Sequence, residues 1–396
     1  MKKTAIVSCY FQPNYGSALQ AYATQMALDK LNYKNETIDI SGFRREIKRA
    51  KIKYFVKASL TSGILVTKLG MAKTILIRKF SRNEYTSLIK IRQQKFDEFN
   101  KKYFRLSPCY GSKAELSEKC IENYSAVVVG SDQLWLPGNI AADYYTLNFV
   151  PAEINTIAYA TSFGQSSLPK GIEKKAQIFL NKIRHLSIRE KSGQELIKRL
   201  SERDVPIVCD PTLLFTGEEW MSIQSEEAII KKPYIFCYFL GNNSQHRKFA
   251  VKLKNATGYH IVALNHIDEF IKSDDEYADV SPTNIGPSEF LNLIRNANIV
   301  CTDSFHCSVF SILYEKKFFS FRRFKKNTKH STNSRLDTLF RMVGIDGRIM
   351  KGNEVISDCI DVEIDYKKVN QLLESVRKLS YDYLLSALQD KRGINI

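Results

Sequence analysis

The chain has 396 residues, 44% of them hydrophobic and 26% charged, with a formal net charge of +17. A chain of that size and balance can bury the cores of two ordinary domains, which excludes a disordered or fibrous class. The longest apolar-looking stretch, 55–76, is broken by Lys57, Lys68 and Lys73, short of the roughly 18 uninterrupted apolar residues that span a bilayer.

The N-terminus, MKKTAIVSCYFQPNYG, lacks the long apolar core and small-residue cleavage site of an export signal, and the 8 cysteines stand singly with no CxxC pair. A reduced, cytoplasmic protein is expected. Lys3 to Ser8 reads as a buried first strand, followed by the loop FQPNYGS and a helical pattern from Ala18 to Leu31, the opening of a βα unit.

The next segment holds most of the charge excess: residues 44–102 carry 17 Lys and Arg against 4 Asp and Glu. Within it Lys48, Arg49, Lys51, Lys53 and Lys57 alternate with Ile47, Ile52, Tyr54, Phe55 and Val56, as on a cationic amphipathic surface that approaches anionic headgroups or phosphates. A plain solvated basic helix fits the same pattern. Nucleic acid is not expected as a partner, since no zinc-finger spacing or RNP-type aromatic motif accompanies the charge.

Further strands follow at a regular pace. Ala126 to Val129 runs into GSDQLW, Thr156 to Ala160 into TSFG, and Leu186 to Ile188 into REKSG ahead of a helix at 194–200. A second set reads Pro206 to Cys209 into DPT, Tyr234 to Tyr238 into FLGNN, His260 to Leu264 into NH, and Asn298 to Cys301 into TDSFH, with helices at 245–255 and 288–297. Apolar strands alternating with helices, each strand ending in a polar loop, predict parallel sheets with ligands at the carboxyl ends. The expected fold class is therefore α/β, two tandem Rossmann-like domains with C-terminal helices packing back. The N-terminal domain is expected over 1–195 with the basic insertion at 44–102, the C-terminal domain over 196–345, and a helical segment over 346–396.

Candidate functional residues lie in the strand-end loops. Gly16, after Asn14 and Tyr15, lets the backbone turn or approach a ligand at a helix N-terminus, although such turns often do nothing more. Asp132, between Ser131 and Gln133, is a carboxylate costly to bury without a task, or else a helix cap. Arg189 and Arg335, the latter just after the polar loop 327–334, can each grip a carboxylate or phosphate, or sit in exposed ion pairs. Among six histidines only His306 lies in a Ser/Thr/Asp-lined strand-end loop, suited to proton transfer or anion binding, or to a satisfied structural role. No His/Cys/carboxylate cluster has metal-ligand spacing, so no metal is expected.

In chain order, NYGSALQAY, VVVGSDQLW, AYATSFGQ, LSIREKSG, CDPTLLF and TDSFHCSVFSI resemble the polysaccharide pyruvyl transferase family over about residues 1–345. The resemblance implies a fold similar to the two-domain GT-B glycosyltransferases. It implies phosphoenolpyruvate as donor substrate with no further cofactor, and a sugar that receives pyruvate as a cyclic ketal across two hydroxyls. The family's arginine-leucine-histidine triplet falls on Ser304-Phe305-His306, so one guanidinium is missing here and Arg335 is the candidate replacement. The resemblance carries over the histidine as His306 and Arg189 as the second anion clamp; we expect His306 as the acid or phosphate contact and Asp132 as a candidate base toward the acceptor hydroxyl. Asn14, Tyr15 and Gly16 line the N-terminal wall, with Ser131, Gln133, Ser162, Ser304 and Phe305 as further substrate contacts. The acceptor it implies is a polyprenyl-linked sugar of capsule or exopolysaccharide assembly, with the basic segment in peripheral contact with the anionic inner leaflet. Two rivals share the fold: a glycosyltransferase using a nucleotide sugar, and a non-catalytic scaffold.

Overall fold

Runs of β-branched and aromatic residues build two five-stranded sheets in which every paired strand is parallel. The computed structural model describes residues 2–61, 84–266, 271–274, 277–324 and 333–390. The first sheet contains β1 (Lys3–Val7), β2 (Asn35–Thr37), β3 (Tyr124–Val129), β4 (Asn155–Thr161) and β5 (His185–Ile188), in the order β2-β1-β3-β4-β5. The second contains β6 (Tyr234–Tyr238), β7 (His260–Ala263), β8 (Ile299–Thr302), β9 (Lys317–Phe321) and β10 (Ile349–Met350), in the order β10-β9-β8-β6-β7. β4 and β6 are buried at every residue, as expected of parallel strands covered by helices on both faces.

The strand orders fix where a ligand can sit. The winding direction reverses between β1 and β3 in one sheet and between β6 and β8 in the other. Loops diverge at such points and leave a crevice beyond the carboxyl ends of the strands. Helix α1 (Tyr15–Lys30) starts at the first crevice, its N-cap Asn14 accepting a hydrogen bond from the Ser17 amide. The helix Phe305–Leu313 starts at the second, its N-cap Ser304 accepting from the Cys307 amide.

An apolar seam holds the two units together. The Tyr15 ring stacks on Phe290, 4.5 Å between centroids, and its hydroxyl donates to the Ile285 carbonyl. The helix Tyr366–Gln389 packs back across the seam: the Ser380 hydroxyl accepts from the Cys209 amide, and Asn155 donates to the Ala387 carbonyl.

Two segments differ from the sequence expectation. Pro206 to Cys209, read as the first strand of the second set, bridges β5 of the first sheet through Ile207 and Ile188. β10 adds an edge strand inside the stretch read as helical. An apolar run names a strand but not the sheet that receives it, and a two-residue edge strand is too short to show a period.

Beneath the second sheet's loops His246 stacks on Phe321, centroids 4.6 Å apart. Burial outweighs the nearby Asp303 carboxylate and pushes the imidazole down to about 4. The unfolded chain protonates this ring near 6.5, so its contribution is complete above that value and lost as pH falls toward 4. Wild-type protein is expected to lose about 3 kcal/mol of unfolding free energy at pH 4 from this residue. His246→Phe should lack that part of the acid sensitivity in urea unfolding at pH 7 and 4.5.

Candidate active site

A polar cavity of about 290 Å³ opens where the two crevices face each other, lined by residues following β1, β3, β6 and β8. Three cations reach it from separate elements: Lys51 from helix α2 (Arg44–Thr61), Arg323 after β9, and Arg335 in the helix Ser334–Met342. Asp132 is the carboxylate on the lining, and amides come from Gln12, Asn14, Gln133 and Asn139. A positive cavity with amides on one side suits an anion beside a hydroxyl-rich molecule. A larger hollow of about 540 Å³ lies by β10, but its Arg348 is spent on the Val362 carbonyl and it is away from both crevices.

His306 sits on the cavity lining in the first turn of its helix, 6% exposed. Gly16 explains how it fits. A Cβ at position 16 would stand 2.0 Å from His306 Nδ1, so the ring lies flat against bare backbone. On its other edge Nε2 is 3.5 Å from Asp210 Oδ2, an electrostatic contact longer than a full hydrogen bond. Gly16→Ala must displace the ring. We expect kcat to fall on the order of 100-fold and stability to drop by about 1–3 kcal/mol from overpacking, measured by steady-state kinetics beside thermal melting.

Behind the cavity lies a buried charge network. Arg189 Nη1 donates to Asp210 Oδ2 at 2.6 Å, Nη2 donates to Asp132 Oδ1 at 3.3 Å, and Glu190 lies 3.8 Å from Nε. Burial alone would raise Asp210, but the His306 ring and the Arg189 guanidinium outweigh it and hold the carboxyl far below its usual range. Asp132 behaves the same way: burial opposes Arg189, His306 and the Ser17 hydroxyl, and the balance is downward. For Glu190 burial wins and the carboxyl is pushed up. Asp132 also holds φ at 80°, a strained backbone for a residue with a side chain.

Several expected contacts are placed elsewhere. Arg189, read as an anion clamp, has a side chain only 1% exposed and faces three carboxylates. It is an internal counter-ion, because its charge is already matched. Tyr15 belongs to the interdomain seam rather than the wall. Ser131 Oγ stands 2.8 Å from both the Ala160 carbonyl and Asp210, which share its one proton, and Ser162 donates to Glu190, both fully buried behind the lining. Asn14, Gly16, Asp132, Gln133, Ser304, Phe305, His306 and Arg335 come together on the cavity. The loop before Arg335, residues 325–332, lies outside the described residues.

Phe305 packs its ring near two guanidinium groups. Its ring lies 4.7 Å from the Arg189 guanidinium carbon and 5.8 Å from that of Arg335, a cation–π spacer between two like charges. Burial, Arg189 and Arg323 together push Arg335 down to about 9. An anion in the cavity would relieve that repulsion.

Three residues escaped sequence reasoning. Asp210 stands in the quoted CDPT motif, where only its distance in sequence from His306 hid its role. Lys51 was one charge among many in the basic stretch, and nothing in a linear pattern says which turns inward. Arg323 follows β9 without any motif. Burial and Asp132 push the lining thiol of Cys9 up to about 12, so it stays protonated and does not serve as a nucleophile. Among the described residues no group of three or more His, Cys, Asp or Glu side chains is arranged to hold a metal ion.

Comparison with known proteins agrees with this architecture. The UDP-N-acetylglucosamine 2-epimerase of Rickettsia bellii superposes with a TM-score of 0.53 at 11% identity, covering 98% of this chain and 97% of that one. The UDP-GlcNAc 2-epimerase of Methanocaldococcus jannaschii gives 0.46 at 13% identity, covering 94% and 92%. At 11% identity the likeness to the Rickettsia bellii protein concerns the two-domain, GT-B-like fold alone, and the score of 0.46 adds nothing to it. No curated protein matches the chain. The model of the family described as polysaccharide pyruvyl transferase matches residues 14–323, a span that holds β1-to-β8 crevice residues, Asp132, Asp210 and His306 together, and the chain belongs to that family.

Proposed function

We propose that the cavity binds phosphoenolpyruvate and transfers its pyruvyl group, as a cyclic ketal, to a lipid-linked sugar of capsular or exopolysaccharide assembly. One observation carries the reading: an imidazole backed by a buried carboxylate, His306 on Asp210, shares a cavity with Lys51, Arg323 and Arg335. The donor bears a carboxylate and a phosphate, and those cations supply charge for both. No metal or organic cofactor enters the reading.

His306, as imidazolium, donates a proton to C3, turning the methylene into a methyl group while C2 becomes cationic. Asp210 stabilises the positive ring and fixes its orientation, as a buried carboxylate does for a general acid. The first sugar hydroxyl bonds to C2 and gives its proton to the now neutral His306, which restores the imidazolium. The second then displaces phosphate from C2, and its proton leaves with the phosphate. Asp132, held ionised, is a weak base, so its part is to accept a hydrogen bond from the attacking hydroxyl and orient it. Gln133 and Asn139 suit neighbouring hydroxyls.

Mass spectrometry of candidate lipid-linked glycans, before and after incubation with protein and phosphoenolpyruvate, tests the reading. The expected result is a gain of one pyruvate ketal with equimolar inorganic phosphate. A mass gain that needs a nucleotide sugar instead, or no donor-dependent change, rejects it.

A further inference from the structure

Helix α2 divides the basic stretch into an inner and an outer face. Ile47 is buried, and Ala50, Lys51 and Tyr54 are half-buried toward the N-terminal domain, with Lys51 on the cavity. On the opposite arc Ile52 and Val56 are each 51% exposed, and Phe55, equally exposed, flanks them with one end of its ring against Gly138. Their spacing of three and four residues makes one stripe. Lys48, Arg49 and Lys53 are exposed beside it. Apolar side chains of this size ordinarily face inward on a soluble helix.

A second observation adjoins the stripe. Arg45, Arg49 and Lys53, one turn apart, line a hollow of about 400 Å³ together with Gly42, Phe43 and Gly111. Glu46 also lines it, but its carboxylate pairs with Lys113. Apolar residues centred among cations, with a basic hollow alongside, complement a bilayer surface: acyl chains under the stripe and headgroup phosphates in the hollow. No helix among the described residues is long and apolar enough to cross a membrane, so the contact is peripheral.

We propose that the outer face of α2 is a docking surface for an anionic lipid bilayer. Because Lys51 leaves the same helix toward the cavity, docking sets the cavity beside the membrane surface, where a lipid-linked acceptor presents its sugar. The proposal deepens the lipid-linked acceptor reading but does not depend on phosphoenolpyruvate.

Flotation of the full chain with phosphatidylcholine vesicles, with and without phosphatidylglycerol, tests it. Binding is expected to the anionic vesicles and to weaken with salt. The triple variant R45E/R49E/K53E should lower the partition coefficient on the order of 100-fold or more, and I52S/V56S about 10-fold. Inorganic phosphate at millimolar concentration should not displace the bound protein. Equal flotation with neutral vesicles, variants that float like wild type, or a wild-type dimer that I52S/V56S converts to monomer would each overturn the proposal. Calorimetric binding of phosphoenolpyruvate to the same variants should match wild type, which separates failure at this surface from failure of the donor reading.

Discussion

Asp210→Asn is expected to cost on the order of 3–5 kcal/mol of stability and to lower kcat by about 1,000-fold. Every neighbour of the carboxylate donates to it: Arg189 Nη1, the hydroxyls of Ser131 and Thr212, and the Thr212 amide. His306 Nε2 faces it as well, at 3.5 Å. An amide of the same shape would turn two hydrogens toward those donors and leave the Arg189 charge poorly matched in the interior. The pH dependence has a definite sign. The folded carboxyl lies below its unfolded value of about 4, so its contribution is complete above that pH and disappears as pH falls through the folded value. Wild type should lose this part of its stability in acid, and the variant should lack it. Urea unfolding against pH, beside steady-state kinetics, measures both effects. A variant that retains wild-type kcat would remove Asp210 from the orientation of His306.

Arg335 and His306 are expected to fail in different kinetic constants. Arg335→Gln removes a guanidinium that stands on the cavity beside Arg323 and above the Phe305 ring. Losing a charge-assisted contact to a bound anion costs about 2–5 kcal/mol, which raises KM for phosphoenolpyruvate on the order of 100-fold. Stability should hold or rise, because the burial of the charge, first, and then the repulsion from Arg189 and Arg323, which together push Arg335 down, are removed. His306→Ala should leave KM within a few-fold and lower kcat by roughly 100- to 10,000-fold, the range of a lost general acid. Initial rates of phosphate release across donor concentrations separate the two. A common effect on KM from both variants would make His306 a phosphate ligand instead of the acid.

Much of the frame was legible in the chain because parallel strands are buried on both faces. Runs such as Val127 to Val129 and Tyr234 to Tyr238 therefore read as continuous apolar segments ending in polar loops. The crevice residues Asn14, Asp132 and His306 were legible for the same reason, since loops at strand ends are where the fold leaves room. What the chain concealed is three-dimensional direction. Arg189 and Arg335 look alike as arginines near strand or helix ends, yet one faces three carboxylates and the other the cavity. Lys51 and Lys53 are two residues apart on one helix, so they point to opposite sides. Ile207 joins β5 because backbone pairing, not composition, assigns a strand to a sheet.

The Ser304-Phe305-His306 triplet itself brings no guanidinium to the cavity. A serine at 304 caps the helix that carries His306, and the cationic charge enters instead from Arg323, Arg335 and Lys51. Gly16 backs the ring and Asp210 faces its Nε2 edge.

The central claim is that His306 meets C3 of a donor whose two anionic groups rest on the cavity cations. A crystal structure of the protein with phosphoenolpyruvate tests it most directly. The account predicts the donor between the β1–β3 and β6–β8 crevices, its carboxylate and phosphate on Arg323, Arg335 and Lys51, and its methylene carbon against His306 Nδ1. A donor bound outside this cavity, or bound within it with the methylene carbon turned away from the imidazole, would contradict the account.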